Sequence, residues 1–268
     1  MVLGRKELLE SAELFVIDMD GTFYCSNTII DGAIDFIEVL RERGKRFIFF
    51  TNNTSKNPED YIKKLEGMGC YITREQFMTA ADVTLAYLKS YEADKQVYLI
   101  GTPELEQQFQ QNGICLSEDA DIVMVAFDTT ITYEKLKIGC DLIRHGASFY
   151  ATHPDINCPV TGGFIPDCGA ICAAIELSTG KKPKIFGKPY SDTAQMIHEK
   201  TGISVEKMAF VGDRLYTDIA SGVNNGGLGF LVLTGETKME DLEESEIIPS
   251  AVFESLGEMG QIMRQNQN

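Results

Sequence analysis

Three stretches of the chain carry residues that could do chemistry, and a lysine accompanies them. The stretches are Asp18-Met19-Asp20-Gly21-Thr22, Thr51-Asn52-Asn53 and Gly212-Asp213-Arg214-Leu215-Tyr216-Thr217-Asp218; Lys188, in Gly187-Lys188-Pro189, falls between the second and the third. In an extended chain residues i and i+2 point the same way, so the Asp18 and Asp20 carboxylates can face one site. Gathering Asp18, Asp20, Asp213 and Asp218 in one crevice would crowd negative charge until some carboxylates took up protons. A divalent cation removes that conflict. Oxygen ligands without a paired His or Cys favour a hard ion, which makes Mg²⁺ the expected cofactor. The cation and Lys188 together would form a positive pocket suited to an anion. Singly, these stretches are ordinary: Asp-Gly is a common turn, Thr-Asn-Asn a polar loop or helix cap, and a lysine a surface residue. Their weight comes from their order along one framework.

That framework is a set of strand ends. In an open α/β sheet, ligands bind just beyond the carboxyl ends of the strands. The apolar run 14–17 ends at Asp18 and the run 47–50 ends at Thr51; unbroken runs of this kind suit strands buried on both faces. Between them Ile34, Ile37 and Leu40 fall at helical spacing over 31–43, with Gly44 as a stop. Asn57-Pro58 opens another helix, which Gly67 or Gly69 closes. The last third repeats the alternation: strands over 184–186, 208–211 and 229–233, with helices over 191–200 and after Asp213. The fold class expected is a doubly wound parallel α/β sheet, Rossmann-like. Segment 80–180 carries its own strand candidates at 97–100, 122–127 and 148–151, and a helix that starts at Thr102-Pro103 and ends at Gly113. It is long enough to be a separate domain inserted into a core made of 1–79 and 181–268. The tail, 261–268, is polar and expected to fray.

The whole-chain chemistry narrows the partners. The 268 residues include 24 Lys+Arg and 40 Asp+Glu, a formal net charge of −16, which argues against nucleic acid and anionic membranes. No apolar run approaches the roughly 18 residues of a membrane-spanning helix, and the first residues show no signal peptide. A local cation and Lys188 would let an anion approach despite the overall repulsion. The seven cysteines form no CxxC pair and read as reduced thiols of a cytoplasmic protein. His153, Cys158, Cys168 and Cys172 match no standard zinc spacing.

Taken together, DMDGT, TNN, GKP and GDRLYTDI resemble the four motifs of the haloacid dehalogenase (HAD) superfamily of phosphohydrolases. The early first motif, TNN as the second, and the long stretch before the GKP lysine are similar to its class IIA branch, the NagD-type and p-nitrophenyl phosphatase-like proteins. Ala151-Thr152-His153-Pro154-Asp155 and Gly169-Ala170-Ile171 share that similarity, which runs from about Leu14 to Gly235. The resemblance implies a Rossmann-like HAD core with an inserted α/β cap domain. It also implies a Mg²⁺-dependent phosphatase of small phosphate monoesters, such as nucleotide monophosphates or sugar phosphates, working through an aspartyl-phosphate.

The roles follow residue by residue. Asp18 is the implied nucleophile, and Asp20 the acid that protonates the leaving group and then the base that activates water. Thr51, Asn52 and Asn53 belong to the phosphate-binding motif, and Lys188 neutralises the phosphate and orients Asp18. Asp18, Asp20 through its backbone carbonyl, and Asp213 are the implied metal ligands, with Asp218 as a further ligand or support. The cap would close over the site, with His153, Pro154, Asp155 and the Cys168-Gly169 turn as candidates to meet the leaving group. Tyr216 stands where relatives often carry a polar or acidic residue, and Arg214 reads as structural. The expected partner is a small phosphorylated metabolite, with homo-oligomerisation left open. Two alternatives accompany this reading: a phosphoryl transferase or mutase on the same fold, and a non-enzymatic phospho-acceptor of signalling. Asp20 and the long insert speak against the second.

Overall fold

The protein is described by a computed structural model over residues 4–160 and 162–265. The chain separates into two compact units. One comprises Met1–Thr51, Tyr61–Met78 and Thr193–Asn268, the other Asn52–Asp60 and Thr79–Asp192.

The first unit is built on a six-stranded sheet. Its order is Ala251–Phe253, Leu228–Val232, Met208–Gly212, Leu14–Ile17, Arg46–Thr51 and Phe77–Thr79. Leu14–Ile17 is central and pairs in parallel with Met208–Gly212 on one side and Arg46–Thr51 on the other. All four of its residues are buried, as a strand covered on both faces requires. Side chains alternate between the faces. Phe15, Ile17, Phe49, Val211, Phe230 and Val232 enter a core with the helices Ala33–Glu42 and Leu256–Arg264. Leu231 turns the other way, toward Leu215 and Ile219. The α/β class with a parallel, doubly covered sheet is therefore as expected.

The second unit has a four-stranded parallel sheet of its own, ordered Lys184–Ile185, Ser148–Ala151, Ile122–Val125 and Val97–Ile100. The helices Tyr133–Arg144 and Cys168–Thr179 bury Cys140, Ile143, Ile171 and Ile175 against it. An antiparallel hairpin, Asn157–Val160 with Gly163–Pro166, precedes the second helix. An ion pair between half-buried Lys135 and buried Asp128 ties strand ends together: Lys135 Nζ lies 2.8 Å from Asp128 and donates to the Gly101 carbonyl at 2.7 Å.

Two local expectations change. Lys184–Ile185 is a strand, but it pairs with Ser148–Ala151 rather than joining the core sheet, so the second unit runs to Asp192. A two-residue strand carries no periodicity that could assign it to a sheet. The polar tail is helical as far as Arg264, because Leu256, Met259, Gly260 and Met263 form one buried face; residues 266–268 lie outside the described residues. That helix crosses Ala33–Glu42 closely, since a Cβ on Gly257 would meet the Asp31 carbonyl oxygen and the Gly32 Cα at 3.1 Å. A short N-terminal helix, Arg5–Ser11, also forms, and Leu9 is its buried residue.

Candidate active site

The site in the first unit begins where Leu14–Ile17 stops. The Asp18 N–H still donates to Val211 O at 2.8 Å, which continues the pairing with the neighbouring strand and fixes the Asp18 backbone. The chain then turns sharply. Met19 O accepts from the N–H groups of Thr22, Phe23 and Tyr24 at 3.3, 2.8 and 3.0 Å, and Gly21 takes φ +83°, a conformation open to glycine. The turn needs glycine for a second reason: a Cβ there would lie 2.6 Å from Asp213 Oδ2.

Asp213 follows the adjacent strand Met208–Gly212. Because the two strands are parallel neighbours, their carboxyl ends place Asp18 and Asp213 side by side. One ligand oxygen each from Asp18, Asp213 and Asp218 lie within 4.8 Å of one another. Asp213 and Asp218 are buried and Asp18 is half-buried. Of the four predicted acidic residues, these three come together. The Asp20 side chain is exposed and lies outside that group. Asp20 bridges to Tyr24 through the backbone ladder, and its charge, after burial, helps to raise the pKa of the Tyr24 phenol.

The surroundings hold Asp213 firmly. Thr22 Oγ1 donates to its Oδ1 at 3.2 Å, and the Glu236 N–H donates to its Oδ2 at 2.7 Å. Asp218 Oδ2 accepts from the Arg214 N–H at 3.1 Å. Arg214 Nε lies 2.9 Å from Glu236 Oε2, and the Tyr216 hydroxyl donates to Glu236 Oε1 at 2.9 Å. Tyr216 and Arg214 thus both hold Glu236, in the loop whose N–H reaches Asp213. Burial and then the Asp218 charge push Asp213 up to about 6, although the Glu236 N–H, Arg214 and Thr22 oppose the shift. Buried carboxylates in mutual repulsion are chemically incomplete; a hard divalent cation is the partner that oxygen donors of this kind accept. The residues present fit such an ion.

The loop after Leu228–Val232 was not singled out from sequence. Thr234 Oγ1 donates to Gly21 O at 2.6 Å, and Gly235 packs so closely that a Cβ would sit 2.0 Å from Asp213 Oδ2. Its signal was available: a Thr-Gly-Glu-Thr segment just past a buried strand, in the position where the other site residues occur.

In the second unit, Asn52 and Lys188 come together. Lys188 is 4% exposed, so its ammonium is held in the interior. Asn52 grips the main chain at that point: its Oδ1 accepts from the Lys188 N–H at 2.8 Å, and its Nδ2 donates to Lys188 O at 3.1 Å. Gly187 makes the approach possible, at φ +72° and with no room for a Cβ, which would lie 2.7 Å from Asn52 Oδ1. Asn53 closes a local turn, accepting from Ser55 N and Oγ at 2.9 and 2.8 Å. Thr51 ends its strand half-buried. The Asn52 side chain is therefore a scaffold for the lysine loop, a role that neighbouring residue types alone could not reveal.

Comparison with known proteins agrees with this chemistry. Residues 15–115 match the family model described as haloacid dehalogenase-like hydrolase, and residues 185–259 match a second HAD-hydrolase-like model. The chain is 36% identical over 245 residues to the 5'-nucleotidase YutF of Bacillus subtilis, covering 91% of this chain and 96% of that one. It is 34% identical to an acid sugar phosphatase of Staphylococcus aureus, covering 93% and 97%. The crystal structure of a 4-nitrophenylphosphatase from Thermotoga maritima superposes with a TM-score of 0.91 at 46% identity, covering 95% of this chain and 98% of that one. With its first-motif aspartates, its acidic cluster and its lysine loop all in the matched regions, the chain belongs to the haloacid dehalogenase-like hydrolase family.

Proposed function

We propose that the protein is a Mg²⁺-dependent phosphatase that hydrolyses small phosphate monoesters through an aspartyl-phosphate on Asp18. The observation that carries the reading is the trio Asp18, Asp213 and Asp218, set at adjacent strand ends with ligand oxygens within 4.8 Å of one another. Asp18, Asp213, Asp218 and the Asp20 backbone carbonyl would hold the ion, which when bound supplies positive charge to a phosphate. The relatives named as phosphatases of nucleotides, sugar phosphates and nitrophenyl phosphate support the substrate class.

The chain's own residues account for each transfer. An Asp18 carboxylate oxygen attacks phosphorus while the bond from phosphorus to the ester oxygen breaks. Asp20, exposed and outside the carboxylate trio, is protonated at this stage and gives its proton to the departing alkoxide. The resulting Asp20 carboxylate then takes a proton from water as that water attacks phosphorus, which releases inorganic phosphate and restores the Asp18 carboxylate. Thr51 and the main chain of Asn52 and Asn53 would contribute donors to the phosphate oxygens, the Asn52 side chain being engaged with Lys188 and Asp155. Lys188 is assigned to neutralise phosphate charge, where electrostatic stabilisation counts most. Segment 80–180 is assigned the role of a cap over the substrate. The cysteines, all thiols, accord with a cytoplasmic setting.

The test is phosphate release from p-nitrophenyl phosphate and from a panel of nucleotide monophosphates and sugar phosphates, with Mg²⁺ and with EDTA. The reading expects release with Mg²⁺, loss with EDTA, and an inactive but folded Asp18→Asn. Turnover by Asp18→Asn at the parent's rate refutes the nucleophile. A phosphorylated product in place of free phosphate makes the protein a transferase.

A further inference from the structure

His153 is the buried titratable group that the reaction above does not use. Its side chain is fully enclosed, and neither ring nitrogen has a hydrogen-bond partner. Each nitrogen nevertheless faces a carboxylate: Nδ1 lies 3.6 Å from Asp155 Oδ2, and Nε2 lies 3.6 Å from Asp167 Oδ1. A neutral imidazole has a single N–H and can serve one of these acceptors, whereas an imidazolium serves both.

Asp155 continues the chain of contacts. Its Oδ1 accepts from Asn52 Nδ2 at 3.2 Å, and Asn52 in turn holds both the N–H and the carbonyl of Lys188. The Asn52 amide is held by three contacts: its Oδ1 accepts from the Lys188 N–H, and its Nδ2 donates to Lys188 O and to Asp155. We propose that His153 is a positioning residue: as an imidazolium clamped between Asp155 and Asp167 it fixes Asp155, and through Asn52 it holds the Lys188 loop in its phosphate-binding form.

The other groups facing the ring are few. Cys168, at the start of the helix that Asp167 caps, donates its thiol to Val125 O at 3.4 Å, and Cys172 lies one turn further along. Gly187, from the lysine loop, packs near the His153 Cβ and brings no charge. His153 also borders a cavity of about 580 Å³. The charged residues of that cavity pair with one another, Lys182 with Glu176 at 3.6 Å and Lys184 with Asp192 at 3.1 Å. Burial lowers the pKa of the imidazole, but Cys168 when ionised, Asp155 and Asp167 outweigh it and hold His153 above its ordinary value; Cys168 is itself a titrating neighbour, drawn down to about 7 against the effect of burial by its Cys172 contact and the His153 charge. As pH rises through that raised value, the proton leaves and the clamp on Asp155 opens.

The importance of Lys188 rests on the proposed phosphatase reading, but the clamp can be tested without turnover. Two-dimensional NMR of the full chain, labelled with ¹⁵N-histidine, reports the charge of His153, and hydrogen exchange reports the Lys188 amide. The expected results are a His153 protonated on both nitrogens at neutral pH, and a Lys188 amide protected over the range in which His153 stays charged. In His153→Gln that protection should fall roughly tenfold or more, while sheet amides such as Val123 keep theirs. Asp167→Asn, which removes one of the two charges, should move His153 titration and loss of Lys188 protection to lower pH together. A neutral His153 at pH 6, or Lys188 protection indifferent to the charge of His153, overturns the proposal. In the phosphate-release assay the rise in KM for His153→Gln should exceed the fall in kcat; the NMR results stand or fall whether or not the parent releases phosphate.

Discussion

Replacing Asp213 with asparagine should stabilise the metal-free protein, an uncommon outcome for a buried polar residue. In the absence of a cation, Asp213 is pushed up to about 6, first by burial and then by Asp218, against an ordinary value of 3.8. A carboxylate whose folded-state pKa is raised favours the fold below its unfolded value, and that contribution is lost as pH rises through about 6. At about 1.4 kcal/mol per pKa unit, roughly two units make ionised Asp213 a burden of about 3 kcal/mol at neutral pH. Asp213 is 3% exposed, so solvent does little to screen that burden. Asparagine keeps the necessary hydrogen bonds. Its oxygen can accept from the Glu236 N–H, and its NH₂ can donate to Thr22 Oγ1, which then reverses its role. Thermal unfolding in EDTA at pH 7.5 should show the variant more stable by several degrees, on the order of 5–10 °C if the full 3 kcal/mol is recovered. At pH 4 the two proteins should converge. Adding Mg²⁺ should raise the parent by about 2.7 kcal/mol at a hundredfold excess over its dissociation constant and move the variant far less. A variant less stable than the parent in EDTA, or one that responds equally to Mg²⁺, would show that Asp213 neither bears this charge strain nor binds the ion.

Other substitutions probe separate parts of the molecule. Asp20→Asn should slow hydrolysis of an alkyl phosphate by roughly a hundredfold or more, and p-nitrophenyl phosphate much less, since the phenolate scarcely needs a proton; equal losses across leaving groups would remove Asp20 as the acid. Gly235→Ala puts a Cβ 2.0 Å from Asp213 Oδ2, so the variant should lose the Mg²⁺-dependent rise in melting temperature even where the fold survives. Lys135→Met leaves the Asp128 carboxylate buried without its cation and should destabilise the second unit by on the order of 3 kcal/mol, measured by urea unfolding. Asn52→Ala removes both grips on Lys188; exchange of the Lys188 amide should accelerate, and KM for phosphate esters should rise.

Much of the chemistry was legible in the linear order of residues. Unbroken apolar runs announced Leu14–Ile17, Arg46–Thr51 and Met208–Gly212, and each carried its polar residues at its carboxyl end. Parallel pairing then makes those ends neighbours, so Asp18, Asp213 and Asp218 meet for a reason already present in the pattern. The residues missed from sequence act through packing. Gly235 and Glu236 matter because a loop folds onto Asp213, and the Leu256–Arg264 helix exists because its apolar face finds Ala33–Glu42 in a tail that is otherwise polar. Lys184–Ile185 is too short for any periodicity to show which sheet it joins.

The sequence by itself determined which groups are present and that strand ends would present them, because apolar continuity and side-chain alternation are local properties of a chain. Tertiary structure alone decided their condition: that Asp213 is enclosed beside Asp218 and pushed toward neutrality, that Asn52 holds a backbone loop rather than standing as a polar turn, and that His153 lies between two carboxylates. Burial, repulsion and hydrogen-bond satisfaction depend on groups far apart in the chain, and they acquire values only when folding sets the distances between them.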